Sequence, residues 1–375
     1  MMAWTSLAMM PAAARECSPA TAAPNATTAE ISSILSNTQN FYQLNAIIFS
    51  AEQNGMPILR TALGISTDGL PARTDMHFRI GAVGWQYLTT LLLKMVDQQG
   101  IALRDPVSRW FRSYPNADRA TVRMLAASSA GFGDYVYGQG FFEEITADPF
   151  RRWTADELIA RSLPPFQNPQ YNDPGQDWQY LHTGFVVLGA ILEMVGKEPY
   201  DRLLREMILY PLGLRDTRLQ FGTDVQRPVL HTLTLTDDKF EDSTFWNPSW
   251  VSWGALTSNV CDLGVWNRAF ATGALLSQES RKEITAPVNV GLGENTASRY
   301  FGLGTIVYPP WIVQDASYWG MFTTIAYDPT TGISLEATAS LSPASVVSSS
   351  PSKQIIWAVS KLLVPDHPLP GPGQP

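Results

Sequence analysis

Strand-like alternation is found near both ends of this 375-residue chain and hardly anywhere between. Near the start, Ala46-Ile47-Ile48-Phe49-Ser50 and Pro57-Ile58-Leu59-Arg60-Thr61-Ala62 flank Gln53-Asn54-Gly55, the signature of a hairpin. Alternation returns only at Gly302 to Val307, Thr323 to Tyr327 and Ile333 to Ala339, the last two joined by the turn signal Asp328-Pro329-Thr330-Thr331-Gly332. The block between, about 81–287, is mostly helical by periodicity, with aromatic-rich loops. A short helix is expected at Glu30 to Leu35, and another, Lys353 to Leu363, closes the chain. Strands from both ends separated by a helical block predict an α/β fold. One antiparallel sheet is built from the two ends, with helices on its faces and a mostly helical region to one side.

With 45% hydrophobic residues the chain can bury a large core, and a single domain over 29–364 accommodates it. Residues 18–28 have linker composition, and 365–375 form a Pro/Gly-rich tail; both are expected to be mobile. A net charge of -8 and no Lys/Arg run argue against a nucleic-acid partner. The longest apolar stretches, such as Phe185 to Ile191, fall far short of the roughly 20 residues that cross a bilayer, so no membrane span is expected. The first 24 residues, rich in Met and Ala and running into Ala12-Ala13-Ala14, read as an export segment without the usual basic start, which predicts a secreted or cell-envelope protein. Ala14-Arg15-Glu16-Cys17 is a poor lipoprotein box. With Cys17 in the leader and Cys261 in a probable helix, no structural disulfide is expected. No Cys/His ligand spacing occurs, and neither a metal nor a cofactor is expected.

Five segments form one collinear pattern, the last two of them structural. Phe78-Arg79-Ile80-Gly81-Ala82-Val83-Gly84-Trp85 leads into a helical pattern from Gln86 to Gln99, with Gly100 as the stop and Leu103-Arg104-Asp105-Pro106-Val107 beyond. Then come Thr121-Val122-Arg123-Met124-Leu125-Ala126-Ala127-Ser128-Ser129-Ala130-Gly131-Phe132 and Pro174-Gly175-Gln176-Asp177-Trp178-Gln179-Tyr180-Leu181-His182-Thr183-Gly184-Phe185. Pro211-Leu212-Gly213-Leu214-Arg215-Asp216-Thr217 and Gly254-Ala255-Leu256-Thr257-Ser258-Asn259-Val260-Cys261-Asp262-Leu263 follow. In this order the set resembles the serine β-lactamase, penicillin-binding-protein and D-aminopeptidase superfamily, closest to its class-C-like branch. The resemblance implies the β-lactamase/transpeptidase-like fold.

It also implies where the chemistry belongs. The family carries Ser-x-x-Lys at the turn, the Ser as acylating nucleophile and the Lys as its proton acceptor. The matching positions here are Ala82 and Trp85, and neither group of the dyad is present. In the second motif, Tyr-x-Asn, Tyr180 is kept and His182 replaces the Asn. For the third, His-x-Gly or Lys-Thr-Gly on a core strand, the best match is Tyr318-Trp319-Gly320, with a shorter connection to Tyr327 than the family usually has. Ala82 and the Gly320 to Phe322 region are then the implied backbone oxyanion donors.

In another serine hydrolase, loss of such a dyad costs about a million-fold in turnover. The leading expectation is therefore an inactive relative that binds a peptidoglycan-derived or peptide-like small ligand, or a protein partner, in a cleft lined by Ala82, Trp85, Ser128, Tyr180, His182, Tyr318, Trp319 and Gly320. Each residue has a plainer reading. Trp85 either plugs the cleft or walls a new pocket, and Tyr180 is either a vestigial catalytic group or a buried hydrogen-bonding Tyr. His182 is either a base or a satisfied polar residue at a helix start. Ser128 and Ser129 are loop residues or, less directly, substitute nucleophiles. Ser350-Pro351-Ser352-Lys353 fits Ser-x-x-Lys by count but reads as a helix cap. A weak residual esterase or amidase using Tyr180 or His182, and a structural or regulatory module sealed by Trp85, are the alternative functions.

Overall fold

The computed structural model describes residues 17–22, 25–166, 172–236, 238–346 and 349–371. Strands from the first part of the chain are β1 (Ala20–Thr21), β2 (Ala46–Gln53) and β3 (Met56–Gly64). Short strands β4 (Phe78–Arg79), β5 (Arg218–Leu219), β6 (Leu233–Thr236), β7 (Lys239–Asp242) and β8 (Leu256–Ser258) lie in the middle. Strands β9 (Tyr300–Phe301), β10 (Ile306–Tyr308), β11 (Trp311–Tyr318), β12 (Met321–Asp328) and β13 (Ile333–Ser340) come from the last part. One antiparallel sheet takes both ends, in the order β1-β3-β2-β13-β12-β11-β10-β9. The predicted α/β architecture is the observed one.

Alternation along β2 sorts its side chains between two layers, because successive residues of a strand face opposite ways. Ile47, Phe49 and Ala51 pack with Ile31 and Leu35 of the helix Ala26–Tyr42 and with Ile355, Ile356 and Val359 of the helix Pro351–Leu363. Ala46 and Ile48 face the larger core on the other side, made with the helical region. Ser350 caps the last helix, its hydroxyl accepting from Lys353 N at 3.3 Å, so the Ser-x-x-Lys lookalike is a cap.

The helix Gly84–Asp97 runs through the larger core. The apolar spacing predicts one buried stripe, but Gln86, Thr89 and Thr90 are buried too, and the helix is enclosed on all sides. These three are satisfied internally: Gln86 donates to Thr305 Oγ1 and accepts from Trp266 Nε1, both at 3.1 Å, and the two threonines bond back to carbonyls four residues earlier. At its end the left-handed residue is Gln99, not Gly100.

Several expectations are corrected. The helix after the linker spans 17 residues, and Asn25 caps it. Residues 18–28 are no loose linker where described: Ala20 pairs with Arg60 and Thr21 with Leu59, extending the sheet edge. The tail is held where it is described, through residue 371, since Trp311 Nε1 donates to the His367 carbonyl at 2.9 Å and Leu369 is buried. The region 81–287 holds four short strands besides its helices: β5 and β8 form a small sheet with β4, which lies just before the region, and β6 pairs with β7.

The largest correction concerns the cysteines. Cys17 and Cys261 form a disulfide, which ties the N-terminal segment to the helix Val260–Thr272. Reading Cys17 as part of a leader hid this, because the two residues are 244 positions apart.

Beneath the sheet, Glu336 of β13 is fully buried, its Oε1 accepting from Asn267 Nδ2 at 2.9 Å and from Ser334 Oγ at 2.5 Å. Burial, and then the nearby Glu52 carboxylate, push its pKa up to about 8. The folded state thus holds a proton that the unfolded chain releases near the ordinary value of 4.5. Its contribution to stability is complete below about 4.5 and is lost as pH rises through about 8. Chemical denaturation between pH 6 and 9.5 should accordingly show a fall in stability that is flattened in Glu336→Gln. Separately, the Cys17→Ser, Cys261→Ser double variant should lose about 2–4 kcal/mol of unfolding free energy in urea melts.

Candidate functional site

The turn that matters begins at β4 and tightens over Gly81–Val83 before entering the helix Gly84–Asp97. Gly81 has φ +52°, and a Cβ there would stand 3.0 Å from the Ala316 side chain, so the turn fits against β11 only as glycine. Gly84 is similarly required: a Cβ would fall 2.7 Å from the Gly254 backbone. Between these glycines Ala82 is half-buried and presents a methyl group.

Trp85, one helical turn on, is 1% exposed. Its indole stacks on Phe185 with centroids 4.5 Å apart and an interplanar angle of 7°, and its far edge rests on Gly254. Its Nε1 donates to Tyr180 Oη at 2.6 Å. Of the two readings of this residue, its own surroundings are those of packing. An indole N–H donates but offers no lone pair, so it holds the tyrosine without being able to take its proton.

Tyr180 sits just before the helix His182–Gly196, and burial pushes its phenol well above the ordinary range, with Asp134 adding to the shift and the Trp85 hydrogen bond opposing it. It is neutral at pH 7. His182 opens the helix, where Asp134 does two jobs: one carboxylate oxygen, Oδ2, accepts from the His182 backbone N–H and meets its Nδ1, both at 2.9 Å. A carboxylate at a helix N-terminus is favoured by the exposed N–H groups there, and the same oxygen orients the imidazole. Asp134 was not singled out in the sequence. It lies 48 residues from His182, and nothing local marks the contact. The His182 ring meets Tyr180 edge-on at 4.9 Å.

Ser128 is buried in the left-handed conformation, φ +59°. Its hydroxyl accepts from Leu181 N at 3.3 Å and its carbonyl from Gln179 N at 3.3 Å, so it braces the segment bearing Tyr180. Ser129 is bonded through its backbone to Met124 and Gly175. Both serve the loop.

The third segment is placed differently from expectation. Trp319 (φ +43°) and Gly320 (φ +84°) are the two-residue turn of the β11–β12 hairpin, between paired Tyr318 and Met321. They are not on a core strand. A Cβ on Gly320 would stand 1.8 Å from the Leu233 carbonyl, so this turn abuts β6, while the residues against Gly81 are Ala316 and Tyr318. The backbone beside the Gly81–Val83 turn is therefore β11. Tyr318 stacks on Trp250 at 5.8 Å, and Trp319 packs edge-on against Phe142, Trp246 and Trp250. The aromatic set thus divides into a Trp85–Phe185–Tyr180 group and a Tyr318–Trp250–Trp319 group, linked through Tyr135, which bonds the Trp250 carbonyl at 2.7 Å and meets His182 edge-on.

Residues 46–347 match the protein family described as Beta-lactamase. The chain belongs to that family. A penicillin-binding protein of Bacillus subtilis (strain 168) is 22% identical over 296 residues, covering 73% of this chain and 61% of that protein. The chain spans little more than half the length of the curated relatives it matches first. Among solved structures, a D-stereospecific amidohydrolase from Streptomyces sp. has a TM-score of 0.77 at 21% identity over 89% of this chain and 98% of its own. The D-amino acid amidase of Ochrobactrum anthropi SV3, complexed with D-phenylalanine, has a TM-score of 0.76 at 21% identity over 92% of this chain and 100% of its own. These likenesses are of fold. No helix among the described residues is long and apolar enough to cross a membrane.

Two substitutions probe the Trp85 packing. Trp85→Ala should cost about 3–5 kcal/mol in unfolding free energy, as large-to-small changes in a close-packed core do. Tyr180→Phe leaves the indole N–H without its acceptor and should cost about 1–3 kcal/mol.

Proposed function

We propose that this protein is a non-hydrolysing member of the β-lactamase family, exported from the cell, that binds an amino-acid-like or peptide-like small ligand in its former active-site cleft. The observation that carries the reading is the pairing of a methyl group at Ala82 with an indole at Trp85 whose only polar atom is already bonded to Tyr180. An acyl-enzyme needs an oxygen or sulfur nucleophile and a basic partner, and these two positions offer neither.

Retained recognition is supported by the rim. Ala82 and Tyr180 keep partial access to solvent, and Tyr137 and Phe142 are 48% and 42% exposed where they pack against His182 and Trp319. Exposed rings suit the apolar or aromatic side chain of a peptide fragment, and the fold is shared with an amidase whose structure holds D-phenylalanine. Export is supported by the disulfide, since such bonds persist in oxidising compartments; it also leaves Cys17 no thiol for lipidation. A second reading, slow hydrolysis by His182 acting as a base, is favoured by the Asp134 contact that orients its ring.

Incubation with a fluorescent penicillin tests the main reading. The unaltered protein should remain unlabelled, and the Ala82→Ser, Trp85→Lys double variant should gain covalent label if the turn still holds a productive geometry. Stoichiometric label on the unaltered protein, mapped to any hydroxyl near Ala82, would falsify it. A thermal-shift panel of D-phenylalanine, D-phenylalanine amide and muropeptides addresses binding, and a flat response across it would favour the sealed structural module. Turnover of an activated ester that vanishes in His182→Asn would favour the hydrolytic reading.

A further inference from the structure

Three residues before Ala82, β4 carries an arginine whose side chain points away from solvent. Arg79 is 6% exposed, and no carboxylate among the described residues pairs with it. Its Nη2 donates to the Trp246 carbonyl at 3.0 Å and its Nε to the Thr244 carbonyl at 3.4 Å, while Nη1 has no partner. The Tyr318 ring centroid lies 5.8 Å from the guanidinium carbon.

Nη1 is not alone. Thr232 Oγ1 is also buried without a hydrogen-bond partner, and Arg79, Thr232 and Tyr318 line the same small cavity of about 10 Å³, whose remaining wall includes the apolar Phe78, Val229 and Leu230. Guanidinium keeps its charge even when buried, so a full positive charge stands here in apolar surroundings with two neutral carbonyls as its only bonded partners. An uncompensated buried charge is among the most destabilising features a core can hold. One water would satisfy donors but leave the charge. The cavity is too small for a polyatomic carboxylate or phosphate. A monatomic anion meets both demands, accepting from the guanidinium and the Thr232 hydroxyl while neutralising Arg79.

We propose that the cavity between Arg79, Thr232 and Tyr318 binds one halide ion, chloride under ordinary conditions, as the buried counter-ion of Arg79. The site is separate from the cleft, though Tyr318 belongs to both walls: through it and β4 the ion braces the Gly81–Val83 turn against β11.

The test uses the unaltered protein first. Crystals soaked in sodium bromide should show an anomalous peak at the bromine edge within hydrogen-bonding distance of Arg79 Nη1. In solution, replacing gluconate by chloride at constant ionic strength should raise Tm in proportion to ln(1 + [chloride]/Kd), by about 2 °C once chloride reaches ten times its Kd. Thr232→Val should shift the onset of that logarithmic rise to higher chloride, and Arg79→Met should abolish it. An ordinary water with no anomalous signal in the cavity, equal Tm in gluconate and chloride, or a chloride response that survives Arg79→Met would each overturn the proposal. Should Arg79→Met fail to fold, the bromide peak and Thr232→Val decide. The outcome is independent of whether the cleft binds or hydrolyses anything.

Discussion

The pairing of β2 with β13 is the constraint on which the rest of this structure depends. Eight residue pairs, from Ala46 opposite Ser340 to Gln53 opposite Ile333, join segments nearly the whole chain apart. Because side chains alternate, a slip of one residue would carry Ile47, Phe49 and Ala51 from the layer under the terminal helices into the core on the other side. With that register set, β12 and β11 follow as successive antiparallel neighbours, and β11 delivers Ala316 and Tyr318 to the Gly81 turn. The geometry around Ala82 is thus determined by contacts at the far ends of the chain.

Within that frame, an indole stands at position 85, where the resemblance places an amine, and it leaves no hole. The indole fills the space beside Phe185 because residues 84 and 254 are glycines, and it offers Tyr180 a donor. Tyr180 remains protonated in a buried setting, and Asp134 claims the imidazole that stands where the resemblance places an amide. Polar atoms of the Trp85–Tyr180 and His182–Asp134 pairs are matched to each other. Buried groups in that condition rigidify a core, as fully satisfied networks do.

Period-2 and period-3.6 patterns made the sheet, the helix after the turn and the last helix legible, since these rest on local alternation and end signals such as Ser350. The strand Trp311–Tyr318 was not, because its inward and outward residues are both mostly buried and the alternation that marks a half-exposed strand is missing. Motif spacing, a property of the chain, singles out Ala82, Trp85, Tyr180 and His182, and the fold gathers them around the Gly81–Val83 turn and the start of the helix His182–Gly196. Their partners, Phe185, Gly254 and Asp134, come from other elements, and the disulfide of Cys17 with Cys261 bridges residues whose proximity only the folded chain creates. The third segment divides between two elements: Tyr318 ends β11 and stands with Ala316 against Gly81, while Trp319 and Gly320 form the hairpin turn.

The unusual backbone conformations argue that the frame itself has been kept. Ser128, Ser252 and Trp319 all have positive φ, a region that non-glycine residues seldom adopt, and all three stand around the former cleft. Ser128 holds the segment bearing Tyr180; Ser252 (φ +46°, ψ -122°) bends the chain just before Gly254 and the Trp85 ring; Trp319 turns β11 into β12. Such residues persist only where the surrounding structure over-determines them, at a cost of order 1–3 kcal/mol each. If packing alone shaped this region, residues free of that cost would serve as well. Strained backbone at these three corners means that the geometry around Ala82 and Trp85 is set by the surrounding elements rather than by those two side chains.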